Sequence, residues 1–489
     1  MMRIFSILIL LIILTGKLVA QGKTEYDPKK KYNPDSLKRW TKILMKDLSL
    51  KHPGFYRYTS RENFDLSIDS TLLTINDSLT EIEIYRKLKP LIAKIRCVHT
   101  QLTLSPGYLS YLNQFSNIIP IEVFIDSGKH VFITKFYGRD SLHLLKQELL
   151  SINNKPIKQI LTQLLGSIPA DGYNETGKIR LLNYRFPHWY RSIIESPEEF
   201  SLTVRSGNDN ESIVVRGIKE SLLPSMDSVV FGDRKMIQFR QHDSVGILTI
   251  LTFDNRQIKH QGQRFKKTIR KSFQTMRENN VKNLVIDIRN NTGGTDSNAA
   301  FLARYVHQQP YRYWDRIEIT KALASELKGL ARFIYCKPLR KDSIYLFTKS
   351  KFSHEFDYYQ LQYPATKNNF KGNIFILTNG LCLSSCSDFA GIVSYNTGAA
   401  IVGEESGGGY QGNTSGIMPK AKFETNLILT VPLLKYTNKV NPEKNVGHGA
   451  YPDFPLSETL DSWMNHRDIQ MEYVLDLVKK KSIGSDDLK

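Results

Sequence analysis

Two apolar runs end in residues whose types could do chemistry. Ile374–Leu377 is followed by Thr378-Asn379-Gly380-Leu381-Cys382-Leu383, then Ser384, Ser385 and Ser387 ahead of Asp388-Phe389-Ala390. A buried strand that ends in Asn-Gly and passes through small residues into a helix can leave a serine exposed at the helix start. The first-turn N–H groups there stabilise a developing negative charge. Serine and aspartate are also preferred helix caps, so one serine could cap while another attacks. The other run, Leu284–Ile288, carries Asp287 and leads through Arg289-Asn290-Asn291-Thr292 to Gly293-Gly294. Paired glycines let the backbone approach a ligand closely, which suits an oxyanion hole or an anion site, or simply a tight turn.

A serine hydroxyl needs an adjacent base. Of the eleven histidines, His99 sits in Cys97-Val98-His99-Thr100, where a helical first part hands over to the rest of the chain. His448 sits in Gly447-His448-Gly449, just before Pro452-Asp453. Spacing alone does not choose between them.

The elements that must hold these residues can be read from periodicity. Leu37, Trp40, Leu44 and Leu48 recur at helical spacing, His52-Pro53-Gly54 breaks that helix, and a second amphipathic pattern runs from Glu81 to Ile95. From Ile119 to about Arg205 short alternating strands take over, at 121–124, 130–136, 149–152 and 200–204. The polar stretch 206–242 reads as a connection. Beyond it, runs at 245–251, 283–288, 373–377, 399–402 and 427–431 read as strands buried on both faces, with helices at 263–278 and 297–307 between them. Strands alternating with helices predict an α/β core with a largely parallel sheet, whose ligands bind beyond the carboxyl ends of the strands.

Composition narrows the class without naming a ligand. The 489 residues are 41% hydrophobic, too apolar for a disordered chain, and 30 Gly with 19 Pro exclude a collagen-like one. The 67 basic against 48 acidic residues give +19, but the bases are spread along the chain, and no nucleic-acid-binding motif accompanies them. The densest runs, 29–31 and 266–271, read as solvated surface. Arg3, the apolar run 4–14 and Leu18-Val19-Ala20 resemble a secretory signal ending at residue 20, too short to span a membrane, which takes roughly 20 apolar residues. Its removal takes Arg3 and Lys17, leaving +17 from +19. Four cysteines in an exported chain allow three pairings, and free buried thiols are an equal alternative; no CxxC indicates a redox motif or a zinc site.

Taken in order, the motifs resemble those of the S41 serine peptidases, the C-terminal processing protease and tricorn-core family. Asp287-x-Arg289-x-Asn291-x-Gly293-Gly294, the strand and serines around Ser384, and Gly403-Glu404-Glu405-Ser406-Gly407-Gly408-Gly409 are similar to its core motifs. Ile95–Thr100 resembles its Gly-His-Thr segment, and Gly447-x-Gly449-x-x-Pro452-Asp453 its closing segment. Leu150–Ile157 is similar to the last part of a PDZ-like domain. The resemblance runs from Ile95 to Asp453.

It implies an α/β fold, with a ClpP/crotonase-like catalytic core, an N-terminal helical domain and a PDZ-like β-rich module. The expected division is a signal at 1–20, a linker at 21–34, helices carrying the His-Thr segment at 35–115, and the PDZ-like module at 116–206. A connection is expected at 207–242, then the peptidase core at 243–460 and a C-terminal helix and tail at 461–489.

Counting from Asn379-Gly380 and back from Phe389-Ala390, the resemblance selects Ser384 as nucleophile, with Ser385 the alternative. The N–H groups of Gly293 or Gly294 and of Ser385 would form the oxyanion hole. Gly409 stands where one branch of the family carries a lysine base, whereas His99 matches the histidine of the other, so the Ser-His branch is expected. That places the site between the helical first part and the core. Val446 stands where an acid is common, which leaves Glu443 as third residue and Asp453 as structural. Cys97 would come within reach of Cys382 or Cys386. The implied function is that of an exported, periplasmic or extracellular serine endopeptidase acting on peptides or unfolded proteins. No cofactor, metal, nucleic acid or membrane segment is expected after signal removal. The competing implication is a non-catalytic peptide-binding protein on a degenerate peptidase fold.

Overall fold

The computed structural model describes residues 26–138, 142–207, 209–328, 335–342, 344–348 and 356–486. The expected signal segment lies outside them. The chain forms two compact units, each discontinuous in sequence. One comprises Met1–Phe115, Trp314–Tyr359 and Thr414–Thr437, the other Ser116–Tyr313, Gln360–Asn413 and Asn438–Lys489.

The larger unit is built on a six-stranded sheet, β1 (Ile237–His242), β2 (Val245–Ile250), β3 (Asn283–Asp287), β4 (Asn373–Thr378), β5 (Ala400–Gly403) and β6 (Phe454–Pro455), in that spatial order. β1 pairs antiparallel with β2, and every later pair is parallel. The expected core strands at 245–251, 283–288, 373–377 and 399–402 are thus β2 to β5. Their continuous Val/Ile/Leu content comes from burial on both faces. On one face Val245, Ile247, Val285, Phe375, Leu377 and Val402 pack with Met471, Val474 and Val478 of helix Ile469–Asp486. Helix α1 (Phe265–Glu278) buries Phe265, Ile269, Phe273 and Met276 at helical spacing. The densest basic run, 266–271, supplies the exposed face of that helix, with Lys266, Lys267, Arg270 and Lys271 turned away from the core.

Register fixes where the strand ends lie. Thr249 pairs with Asp287, Asp287 with Leu377, and Thr378 with Gly403. The three strands therefore end level, and the segments 288–295, 379–384 and 404–409 leave the sheet at the same edge.

A second, antiparallel sheet in this unit runs Ile121–Ile125, Val131–Phe136, Glu148–Ile152, Glu199–Ser206, Asp209–Arg216, with helices Ile157–Ser167 and Thr176–Ile193 between its strands in sequence. Its last strand and β1 both fall in 207–242, which the sequence suggests is a mere connection. Asp209–Arg216 buries only Val215, because an edge strand covered on one face needs few apolar residues, so its polarity imitates a loop.

The smaller unit carries helices Pro34–Lys51, Arg61–Leu73 and Glu81–Ala93. Asn33 accepts the N–H groups of Asp35 and Ser36 at 2.9 and 3.2 Å, ahead of Pro34 at the first helical position. Thr80 and Glu83 form a capping box on the third helix. Residues 314–359 and 414–437, which the sequence expectation places in the core, lie in this unit. The run 427–431 is not a strand of the parallel sheet: Ile428–Thr430 pairs antiparallel with Gln101–Thr103 and with Lys420–Lys422. Its apolar composition reflects burial of Leu427 and Leu429, which a short antiparallel strand shares with a parallel one. Among the described residues no helix is long and apolar enough to cross a membrane.

Ile286, at the centre of β3, is fully buried. Ile286→Ala is expected to lower unfolding stability by about 2–5 kcal/mol, the range for deleting a buried aliphatic side chain. Urea denaturation checks this, and an unchanged midpoint would contradict the placement of β3 in the core.

Candidate active site

The first strand-end segment is held by a guanidinium. Asp287 accepts from Arg289 Nε at 2.8 Å and Nη2 at 2.7 Å, while Arg289 also donates to Asp468 at 2.6 and 2.7 Å and to Gln470 at 3.2 Å. Burial alone would depress the guanidinium pKa, but Asp287 and Asp468 override it and push the pKa up, so the arginine stays charged. Beyond it, Asn290 N–H donates to Asn379 Oδ1 at 2.9 Å, and Asn379 Nδ2 returns a bond to Asn290 Oδ1 at 2.8 Å. These two asparagines tie the end of β3 to the end of β4. Fully buried Asn291 donates to Ile250 O at 3.0 Å, and its carbonyl accepts Leu383 N–H at 3.2 Å.

Gly293 shows why glycine is needed. Its φ is 95°, and a Cβ there would lie 2.8 Å from Ser384 Cβ and 3.2 Å from Ser385 N. The structure thus brings Gly293, Ser384 and Ser385 together. The Gly293 N–H itself donates to Asn291 Oδ1 at 2.9 Å.

The second segment enters helix α2 (Ser385–Thr397) through Ser384, which has φ 54° and ψ −131°. Positive φ is uncommon for a residue with a Cβ and is found where surroundings enforce it. Ser384 occupies the cap position, yet its side chain makes no cap hydrogen bond. The neighbouring serines differ. Ser387 is buried, with Oγ bonded to Ser406 Oγ at 2.8 Å and Gly408 O at 2.7 Å. Ser385 is buried, with Oγ lacking a partner among the described residues, and Ser384 is half-buried. The cysteines on either side, Cys382 and Cys386, are joined as a disulfide, leaving Cys97 and Cys336 as thiols. Of the pairings that four cysteines allow, this one has a local reason: four residues across a helix start bring the two Cα atoms to 5.4 Å, within disulfide range.

The third segment packs against the second through its glycines. A Cβ at Gly408 would lie 3.0 Å from Ser384 N, and one at Gly407 would collide with Gly380 O. Glu404 pairs with Arg180 of helix Thr176–Ile193, which also pairs with Glu458. Glu405 accepts from Gly449 N–H at 2.8 Å and lies 3.2 Å from His448 Nδ1. His448 stands out from the sequence as a candidate base, but neither its pairing with Glu405 nor Arg180 does. Doubled Glu404-Glu405 was the available signal for the pairing, whereas nothing local marks Arg180. Glu443 is exposed, with its N–H on Asn441 Oδ1 at 2.9 Å, and none of its described contacts reaches Ser384.

His99 belongs to the smaller unit, half-buried on a turn closed by Thr100 N–H to Cys97 O at 3.1 Å. The strand after it, Gln101–Thr103, is anchored by a lysine. Buried Lys89 donates to Leu102 O at 2.8 Å and Gln101 Oε1 at 3.3 Å, and Gln101 Nε2 donates to Val98 O at 2.6 Å. Burial lowers the lysine pKa to about 7. His52 Nδ1 accepts Gly54 N–H at 3.1 Å, so its proton sits on Nε2, which lies 2.9 Å from Thr100 Oγ1. Burial, aided by the neighbouring charge of His99 and opposed by a backbone hydrogen bond, pushes the His52 pKa down to about 3.

These features define an α/β core of peptidase type, with a strained serine at a helix start against a glycine turn. Residues 244–456, the α/β core, match the model of peptidase family S41, which supports reading it as a serine peptidase. No curated protein matches it in sequence. The structure of mature CPAF complexed with lactacystin shares the fold at TM-score 0.63 and 15% identity, covering 92% of this chain and 98% of that one. A second structure of mature CPAF matches at TM-score 0.60 and 14% identity, covering 88% and 94%.

Two outcomes are expected. Gly293→Ala should slow any reaction at Ser384 at least tenfold, because the new Cβ must displace the serine; substrate turnover by the folded variant measures this. His52 titrates near 6.5 when unfolded and about 3 when folded. Its stabilising contribution is therefore complete above pH ~6.5 and is lost as pH falls towards 3. Urea midpoints of His52→Gln should fall less steeply than wild type over that window, and parallel profiles would contradict the assignment.

Proposed function

We propose that the protein is an exported serine endopeptidase that hydrolyses peptides or unfolded proteins through an acyl-enzyme. Ser384 Oγ attacks the scissile carbonyl while His99 takes its proton. The oxyanion is met by the N–H groups of Ser385 and of Gly294 or Gly293, the first reinforced by the start of α2. His99 then gives its proton to the leaving amine, and water, activated by the same histidine, releases the acyl group. Glu443 is the candidate for orienting the base. A PDZ-like role for 116–206 would grip a chain end or add a substrate strand. The observation that carries this reading is the backbone of Ser384: a half-buried serine at φ 54°, at the cap of a helix it does not cap, against a glycine that admits no Cβ.

One observation favours a second reading, peptide binding without hydrolysis. Gly293 N–H is donated to Asn291, so it is not presented to an oxyanion. Catalysis in this geometry rests on Ser385 and Gly294, or on a turn of Asn291 that releases the donor.

A fluorophosphonate probe should label the wild type and not Ser384→Ala, and casein hydrolysis should vanish with the label. His99→Ala should lower turnover by about 10²–10⁴-fold, the contribution of general acid–base catalysis. Equal labelling of wild type and Ser384→Ala would sink the nucleophile assignment, and full activity in His99→Ala would sink the base.

A further inference from the structure

Ser384 sits between Cys382 and Cys386, two residues from each, and the disulfide that joins them closes a ring around it. The residue at a helix cap position ordinarily adopts extended backbone angles and turns its side-chain oxygen onto an N–H of the first turn. Serine is well suited to do that, and nothing in its own chemistry prevents it here. Instead Ser384 has φ 54° and ψ −131° and makes no cap hydrogen bond. A strained residue of this kind persists only where its surroundings over-determine it.

One non-covalent restraint falls on Ser384 itself, whose C=O accepts Asp388 N–H at 3.0 Å as any cap carbonyl does and leaves its φ and ψ unfixed; the others lie on the residues around it. Leu383 N–H is held by Asn291 O at 3.2 Å, Cys382 N–H by Asn379 O at 2.9 Å and Cys386 N–H by Leu383 O at 3.0 Å. These bonds fix the approach to the helix, but rotation at Ser384 is opposed mainly by what fixes the chain on both of its sides together. The disulfide does that covalently, holding the Cα atoms of residues 382 and 386 at 5.4 Å. Both cysteines are fully buried while Ser384 is half-buried, so the brace is sheltered beneath the residue it constrains.

We propose that the Cys382–Cys386 disulfide is a positioning brace for Ser384, keeping it out of the capping conformation so that its Oγ is free to attack. This rests on the reading of Ser384 as nucleophile. The cysteines are positioning residues, and they touch neither substrate nor oxyanion in this role. With the bridge absent, the serine relaxes towards an ordinary cap and its hydroxyl is consumed by its own helix. The defect then falls on reactivity, and substrate binding is spared.

The test compares the full-length wild type with Cys382→Ala/Cys386→Ala. Expected are fluorophosphonate labelling and kcat each lowered at least tenfold, with KM unchanged and a cooperative urea transition retained. Labelling within twofold of wild type in the folded variant overturns the proposal while leaving the nucleophile reading intact. If the variant does not fold, the wild type is treated with a trialkylphosphine until two new thiols per chain titrate. That step breaks the S–S bond, gives two thiols, and oxidises the phosphine to its oxide with oxygen from water. Labelling should fall at least tenfold and return on reoxidation; unchanged labelling of the reduced protein overturns the proposal. Absence of labelling in untreated wild type overturns the nucleophile reading, and the brace with it.

Discussion

A single left-handed residue sets the terms for the strand ends of the larger unit. Ser384 at φ 54° can exist only if the chain before it, the helix after it and the segments beside it leave no relaxed alternative. Around it lie a disulfide across the turn, a glycine at 293 whose side chain is forbidden, and a glycine at 408 pressed against its N–H. The level ends of β3, β4 and β5 bring these pieces to one edge of the sheet, so the register of the core delivers the groups that act on this residue together with the disulfide.

Charge does the next part of the work. Arg289 lies between Asp287 and Asp468, and Arg180 between Glu404 and Glu458, so a half-buried and a buried guanidinium each face two carboxylates. Removing the arginine from either cluster leaves two carboxylates without their counter-charge, which costs more than the cluster's net worth. These clusters fix geometry: one ties the end of β3 to the C-terminal helix, the other ties the start of the 404–409 segment to helix Thr176–Ile193. The large positive net charge of the chain has a different origin, since its densest helical run is simply the wet face of α1.

Much of this was legible in the residues. Both-face burial announced β2 to β5, and the spacing of Asn379-Gly380 and Phe389-Ala390 pointed to the serine now seen with the unusual backbone. The basic helix face is a local signal, and it read correctly as solvated surface. What the sequence hid was non-local. Asp209–Arg216 looked like a linker because an edge strand needs one buried residue, and 427–431 looked like core because apolar runs do not announce their partner. Arg180 reaches carboxylates more than two hundred positions away, with no spacing to betray it. The cysteine pairing was open on counting alone, and local helix geometry resolved it in favour of the nearest pair.

The most direct measurement is the location of a fluorophosphonate adduct by peptide mass spectrometry of the wild-type protein. A phosphonylated Ser384, with Ser385 and Ser387 unmodified, is the predicted result. An adduct on Ser385 or outside the 384–387 cluster, or none at all, would contradict the claim that the strained serine is the nucleophile.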